Sequence, residues 1–80
     1  MIKKSTKSYF RDDMFLKKLG DNIRKLRLER NMSQTDLAFK CNDIDYSQIN
    51  RIELGKVNFS VSFLSLLSNA LGVDTKDLIP

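Results

Sequence analysis

Between Tyr46 and Lys56 the chain gathers side chains suited to exchanging hydrogen bonds with another molecule. Ile49 and Ile52 fall three apart, the spacing of one helix face, and would hold such a helix to a core. Tyr46, Ser47, Gln48, Asn50 and Arg51 are then left as the outward set. They offer donors and acceptors together with one guanidinium, which is the chemistry of reversible recognition. Catalysis fits poorly: the chain has no histidine, a single cysteine, no glycine-rich phosphate loop and no carboxylates clustered at ligand spacing. The usual metal, nucleophilic and general-base arrangements cannot be assembled from these residues, so neither enzymatic activity nor a cofactor or metal is expected.

Eighty residues make one small domain whose apolar side chains must share a single core. The balance of 41% hydrophobic and 30% charged residues is that of a globular domain. Val57 to Val73 is free of charge but carries serines, asparagines and Gly72, so no membrane span is expected. The opening Met1-Ile2-Lys3-Lys4-Ser5 lacks the apolar run of a secretory signal, and Cys41 has no disulfide partner. Cytoplasm is the expected location and Cys41 a small core residue. The net charge of +4 is front-loaded: residues 1–30 hold ten Lys/Arg against four Asp/Glu, and residues 31–80 hold four against six. A polyanion is a natural partner for such a front half.

The elements that must position the outward set can be read from caps and periodicity. Residues 1–11, with Lys3, Lys4, Lys7 and Arg11, show no sustained apolar period and read as a basic arm, which Tyr9 and Phe10 would pin to the body; residues 12–80 form the domain. A first helix starts at Asp12 and Asp13, turns Phe15, Leu19, Ile23, Leu26 and Arg30 inward, and ends at Asn31. Ser33 with Asp36 is a variant capping box opening a second helix that buries Leu37, Ala38 and Cys41. Asp45 is the expected N-cap of a third helix, Tyr46 to about Leu54, stopped by Gly55. Ser60 caps a fourth helix running to Leu71, and Asp74 with Asp77 opens a fifth through Leu78 and Ile79. The expected class is a compact all-α domain of five short helices.

Two short helices joined by a tight turn, the second carrying small and polar residues at its start, have the anatomy of a helix-turn-helix reader of the major groove. Four ordered blocks extend this to a resemblance covering about Leu16 to Ile79. They are Leu19-Gly20-Asp21-Asn22-Ile23-Arg24-Lys25-Leu26-Arg27; Met32-Ser33-Gln34-Thr35-Asp36-Leu37-Ala38; Ser47 through Lys56; and Ala70-Leu71-Gly72-Val73. With these blocks the chain resembles the lambda-repressor-like, Cro/CI or Xre-type DNA-binding family. Within it, short members with an N-terminal extension, among them restriction–modification controller proteins, look most similar.

The resemblance implies a sequence-specific regulator of transcription that binds double-stranded DNA. Tyr46, Ser47 and Arg51 match positions from which relatives reach base edges, with Gln48 and Asn50 beside them; Arg51 could grip guanine O6 and N7 together. Gln34 matches the family's glutamine that contacts the DNA backbone and braces the recognition helix. Lys56 and Asn58 in the following loop, with helix termini, would add phosphate contacts. Arg27 and Glu53 match an ion pair that fixes the angle of the recognition helix. In two respects the chain departs from the family pattern. The turn from Cys41 to Ile44 lacks a glycine and is one residue longer than usual, and Asp43 and Asp45 place negative charge near the DNA face.

The fourth helix is apolar over more than one face. Val61, Leu64, Leu67 and Leu71 form a sector suited to the core, and Phe63, Leu66 and Ala70 form a second beside it. A homodimer is expected, with Phe59, Phe63, Leu66 and Ile79 in its interface, reading a palindromic operator. The chain has no room for a separate small-molecule-binding domain. A rival reading of the same apolar helix is a protein-binding or antitoxin-like adaptor that keeps the fold and holds a different protein.

Overall fold

The computed structural model describes residues 10–80, so the expectations for Lys3, Lys4, Lys7 and Tyr9 lie outside the described residues. Four α-helices follow in order: α1 (Asp13–Glu29), α2 (Gln34–Lys40), α3 (Tyr46–Glu53) and α4 (Val61–Leu71). The expected fifth helix is a three-residue 3-10 turn, Thr75–Asp77. Its bonds run to the third residue back, from Asp77 N to Asp74 O at 2.9 Å and from Leu78 N to Thr75 O at 3.0 Å. One buried residue, Leu78, anchors it, and its carbonyl is claimed by Asn22 Nδ2 at 2.9 Å. A single anchored turn of this kind is the tight geometry used in short pieces.

The starts of the helices follow side-chain chemistry. Asp12 accepts from Phe15 N at 3.0 Å and Ser60 from Phe63 N at 3.0 Å. Ser33 accepts from Asp36 N at 2.9 Å while the Asp36 carboxylate accepts from Ser33 N at 2.8 Å, closing the capping box. The Ser33 backbone N–H first, and then the Ser33 hydroxyl, hold the Asp36 carboxyl below its ordinary pKa. Their contribution is therefore present above the ordinary carboxylate range and is lost as pH falls through the lowered value. Asn31, at φ 55°, ends α1 in the left-handed region.

Packing centres on α3. Its main neighbours are α2 and α1, and Leu19, Ile23, Leu37, Ala38, Cys41, Ile49, Ile52, Leu67, Leu71 and Leu78 form the core around it. The inward line of α1 differs from the periodic reading: Leu16, Leu19, Gly20, Ile23 and Arg27 are buried, whereas Phe15 is 39% exposed and Arg30 half-buried. Leu26 packs against the core from its edge. Gly20 supplies the reason. A Cβ placed there would collide with the carbonyl oxygens of Ile52 and Glu53, the latter at 2.6 Å, so α1 lies on α3 backbone to backbone and is rotated to face it through Gly20. Hydrophobic periodicity carries no mark for a contact made by the absence of a side chain.

In α4 the buried residues are Leu67, Ser68 and Leu71, all in its second half. Val61, expected in the core, is 81% exposed, on the first turn of α4, ahead of the buried stretch. Ser68 is buried where the sequence offers no apolar reason: its hydroxyl donates to Ser65 O at 2.8 Å and meets Thr75 Oγ1 at 3.1 Å, tying α4 to the 3-10 turn. Burial raises the pKa of Cys41, which stays a protonated thiol inside the core.

Gly20→Ala is expected to lower unfolding free energy by about 1–3 kcal/mol through overpacking at the α1–α3 crossing, measured by chemical denaturation. An unchanged midpoint would show that the two backbones separate without cost.

Candidate nucleic-acid interface

Ile49, Ile52 and Glu53 are buried and fasten α3 by one side. At about 100° per residue the opposite side runs through Ser47 and Arg51, one turn apart, with Tyr46 and Asn50 on one flank and Gln48 on the other. Tyr46, Gln48, Asn50 and Arg51 are exposed, Tyr46 by 56%, and Ser47 is half-buried. Leu54, 46% exposed at the end of the same line, was not singled out in the sequence because it follows the expected face into the helix stop.

A buried ion pair sets the angle of α3. Arg27 reaches across from α1 and binds Glu53 with two bonds, Nε to Oε2 at 2.6 Å and Nη2 to Oε1 at 3.0 Å. Its remaining nitrogen, Nη1, donates to Met32 O at 2.7 Å, in the link between α1 and α2. The fork geometry of a guanidinium matches the two carboxylate oxygens, a match no lysine reproduces.

Gln34, the first residue of α2, joins the same group. Its Nε2 donates to Glu53 Oε1 and to Asn50 Oδ1, both at 3.1 Å. Both hydrogens of the amide are thereby used, so the Gln34 side chain braces α3 and has none left to give a phosphate. Its backbone N–H, first in α2, remains among the helix's unpaired donors. Gln34 meets α3 at Asn50, one turn beyond Tyr46.

The start of α3 departs from expectation. Asp45 stands at the N-cap position, with φ −71° and ψ 136°, but its side chain makes no bond to the helix backbone. The carboxylate accepts the Ser47 hydroxyl instead. A hydroxyl two residues away competes with the backbone donor for the same carboxylate. Ser47 has therefore spent its only hydrogen, and its oxygen keeps acceptor capacity alone. The long turn before it places Asn42 and Asp43 at φ 61° and 54°. These residue types tolerate the left-handed region, and the turn brings Ile44 N onto Ala38 O at 3.1 Å so that Ile44 packs on the core without a glycine.

Two concavities flank the exposed side of α3. One, of about 370 Å³, is lined by Gln48, Arg51, Asn58, Phe59 and Phe63 among others, and so brings Asn58 beside Arg51. The other, of about 290 Å³, is lined by Lys17, Asp21, Arg24, Arg27, Gln34, Asn50, Glu53 and Leu54. Lys17 is paired with Asp21 at 2.7 Å, whereas Arg24 has no carboxylate partner among the described residues. Arg24 lies one turn after Gly20, which places it at the edge of α1 against α3; without the Gly20 crossing nothing in the sequence separates it from the other cations of α1. Lys56 is exposed, and its carbonyl accepts from Arg11 Nη2 at 3.4 Å. Arg11, expected in the arm, also pairs with Asp13 at 2.9 Å.

In the wall of the first of these concavities, Phe59 and Phe63 stack edge to face, 5.9 Å between centroids at 74°. Both are half-buried, as is Leu66, while Ile79 and Val61 are exposed. Phe63 and Leu66 of the second apolar sector thus remain partly open to solvent, and a third concavity, near the start of α1, is lined by Phe10, Phe15, Phe59, Val61, Leu64 and Ile79 among others.

The arrangement defines a class: a short helix, α3, clamped by α1 and α2 and presenting polar side chains outward. Residues 23–78 match the helix-turn-helix family, to which this chain belongs. It is 44% identical over 61 residues to the control protein C.BamHI of Bacillus amyloliquefaciens, covering 75% of this chain and 74% of that protein. Its structure is similar to the restriction–modification controller protein C.AhdI from Aeromonas hydrophila, with a TM-score of 0.76 and 33% identity over 80% of this chain and 96% of that one. It is likewise similar to the controller protein C.Esp1396I, solved as a tetramer with its natural 35-base-pair operator, with a TM-score of 0.75 and 34% identity over 84% of this chain and 87% of that one.

Glu53→Gln is expected to cost about 3–5 kcal/mol of stability, because the Arg27 guanidinium is left buried without its counter-charge. It should weaken duplex binding in the same preparation through the altered tilt of α3. A melting curve identical to that of the parent chain would remove the pair from this role.

Proposed function

We propose that this chain is a transcriptional regulator that binds double-stranded DNA sequence-specifically as a homodimer, laying α3 in the major groove of each half of a palindromic operator. The observation that carries the reading is the division of α3. Ile49, Ile52 and Glu53 are buried, and Tyr46, Ser47, Gln48, Asn50 and Arg51 are left without a place in the core. Supporting it are the similarity to controller proteins and the structure of one of them on its operator.

In this reading Arg51 carries the strongest base contact, a bidentate grip on guanine, with Ser47 and Asn50 beside it and Tyr46 and Gln48 at the margins. Lys56, Asn58 and the backbone N–H of Gln34 hold phosphates, and Arg24 adds a cation on the far side of α3. Residues 12–80 are the reading module and residues 1–11 its basic arm, with Arg11 fastened to the body. Phe59, Phe63, Leu66 and Ile79 form the contact between two copies. Two modules would read half-sites about one helical turn, roughly 34 Å, apart. The work is done in the cytoplasm by binding rather than by turnover. Among the described residues no helix is long and apolar enough to cross a membrane.

Selection from a pool of random duplexes tests the proposal directly: a palindrome should emerge, and an unselected pool would end it. Log affinity should fall with log salt by about 0.9 for each phosphate neutralised, and a flat response would argue against backbone contact. Arg51→Ala should cost about 1–3 kcal/mol, chiefly as lost preference at one base pair. In sedimentation Phe63→Glu should behave as a monomer at concentrations where the parent chain is dimeric; unchanged assembly would move the interface elsewhere.

A further inference from the structure

We infer that Asp45, the residue just before α3, is itself a reader of bases: its carboxylate, held by the Ser47 hydroxyl, selects cytosine through the exocyclic N4 amino group. The inference rests on the DNA-reading role proposed above. Asp12, Ser33 and Ser60, at the same position of the other three α-helices, turn their side chains onto backbone N–H groups. Asp45 has the N-cap backbone conformation and makes no such bond. Its Oδ2 accepts the hydroxyl of Ser47, which stands on the outward line of α3. The carboxylate is therefore held, exposed, on the side of the helix turned from the core, where the first residues of a recognition helix meet base edges.

Hydrogen-bond chemistry narrows what this point can meet. A carboxylate only accepts, and with Oδ2 on Ser47 the open end is Oδ1. The Ser47 oxygen beside it has no hydrogen left to give, so two acceptors stand together. Along the major groove guanine shows the acceptors N7 and O6, and thymine shows O4 beside its methyl. Neither has a donor to answer with. Adenine offers the N6 donor with the N7 acceptor adjoining it, whereas cytosine offers N4 with no acceptor of its own. Cytosine is the letter that matches. Phosphate oxygens repel the same carboxylate, which keeps the start of α3 off the DNA backbone. Arg51 lies six residues on, about 9 Å along the helix, so its guanine and the Asp45 cytosine belong to different base pairs.

The test uses the full chain and a random-sequence duplex library, sequenced after binding, for the parent protein, Asp45→Asn, Asp45→Ala and Asp43→Asn. The base pair at which Asp45→Ala loses preference marks the contact, and there the parent chain should favour C·G over A·T on the order of tenfold. Asp45→Asn, which can pair with adenine N6 and N7 together, should turn that preference toward A·T. Asp43→Asn removes an equal charge from the exposed turn before α3 and should change no preference. The cytosine itself is tested on the selected duplex by placing a methyl on N4, which keeps the base pair and removes the hydrogen facing the groove. Affinity of the parent chain should fall on the order of tenfold, and Asp45→Ala should bind both duplexes equally. A carboxylate that only repels phosphate would have Asp45→Asn and Asp43→Asn raise affinity alike for every duplex, and that result would overturn the inference. So would A·T preferred by the parent chain at the marked pair, equal losses on the methylated duplex, or an Asp45→Ala variant that loses no preference anywhere. In those cases a palindrome selected by the parent chain leaves the DNA-reading role standing. A parent chain that selects no sequence brings down that role and the inference with it.

Discussion

A guanidinium and a carboxylate withdrawn from water, Arg27 and Glu53, hold the geometry on which the rest of this molecule depends. Bringing two charges out of solvent is costly, and the attraction between them offsets that cost only when every remaining donor and acceptor is matched. Here each nitrogen and oxygen of the pair has a partner: the carboxylate takes two bonds from Arg27 and one from Gln34, and the third guanidinium nitrogen is taken by the Met32 carbonyl. One side chain of α1 thus sets the exit of its own helix, the angle of α3 and, through Gln34, the position of α2. A hydrophobic pair of the same volume would pack there but would not fix direction, because dispersion has no preferred angle.

Gly20 complements the pair. The ion pair fixes the direction of α3 relative to α1, and the missing side chain fixes their separation, since the carbonyls of Ile52 and Glu53 occupy the space a methyl would need. Two residues of α1, Gly20 and Arg27, about two helical turns apart, therefore define where the exposed face of α3 points. The outward residues need no contacts with the core to be held in register.

Most of the helix limits were legible in the chain because caps are local. Asp12, Ser33 and Ser60 satisfy donors three residues away, and their positions follow from sequence spacing alone. What the chain hid was tertiary. The rotation of α1 came from a close approach at Gly20, Val61 lies exposed on the first turn of α4 ahead of its buried residues, and Asp45 gave its carboxylate to Ser47 in place of the backbone. The outward set of α3 could be read because Ile49 and Ile52 mark its inner side. The acceptor sense of Ser47 could not, since it belongs to its partner Asp45.

That division has a consequence for how such a protein could change its target over generations. Arg51, Gln48 and Tyr46 stand clear of the bracing network, so exchanging them would redirect the molecule to new DNA while leaving its thermal tolerance nearly untouched. Asn50 and Ser47 are harnessed to residues outside α3, and a swap at either one strands a partner. Drift toward a different operator is therefore easiest at those three positions, and at the other two it has to proceed by paired steps.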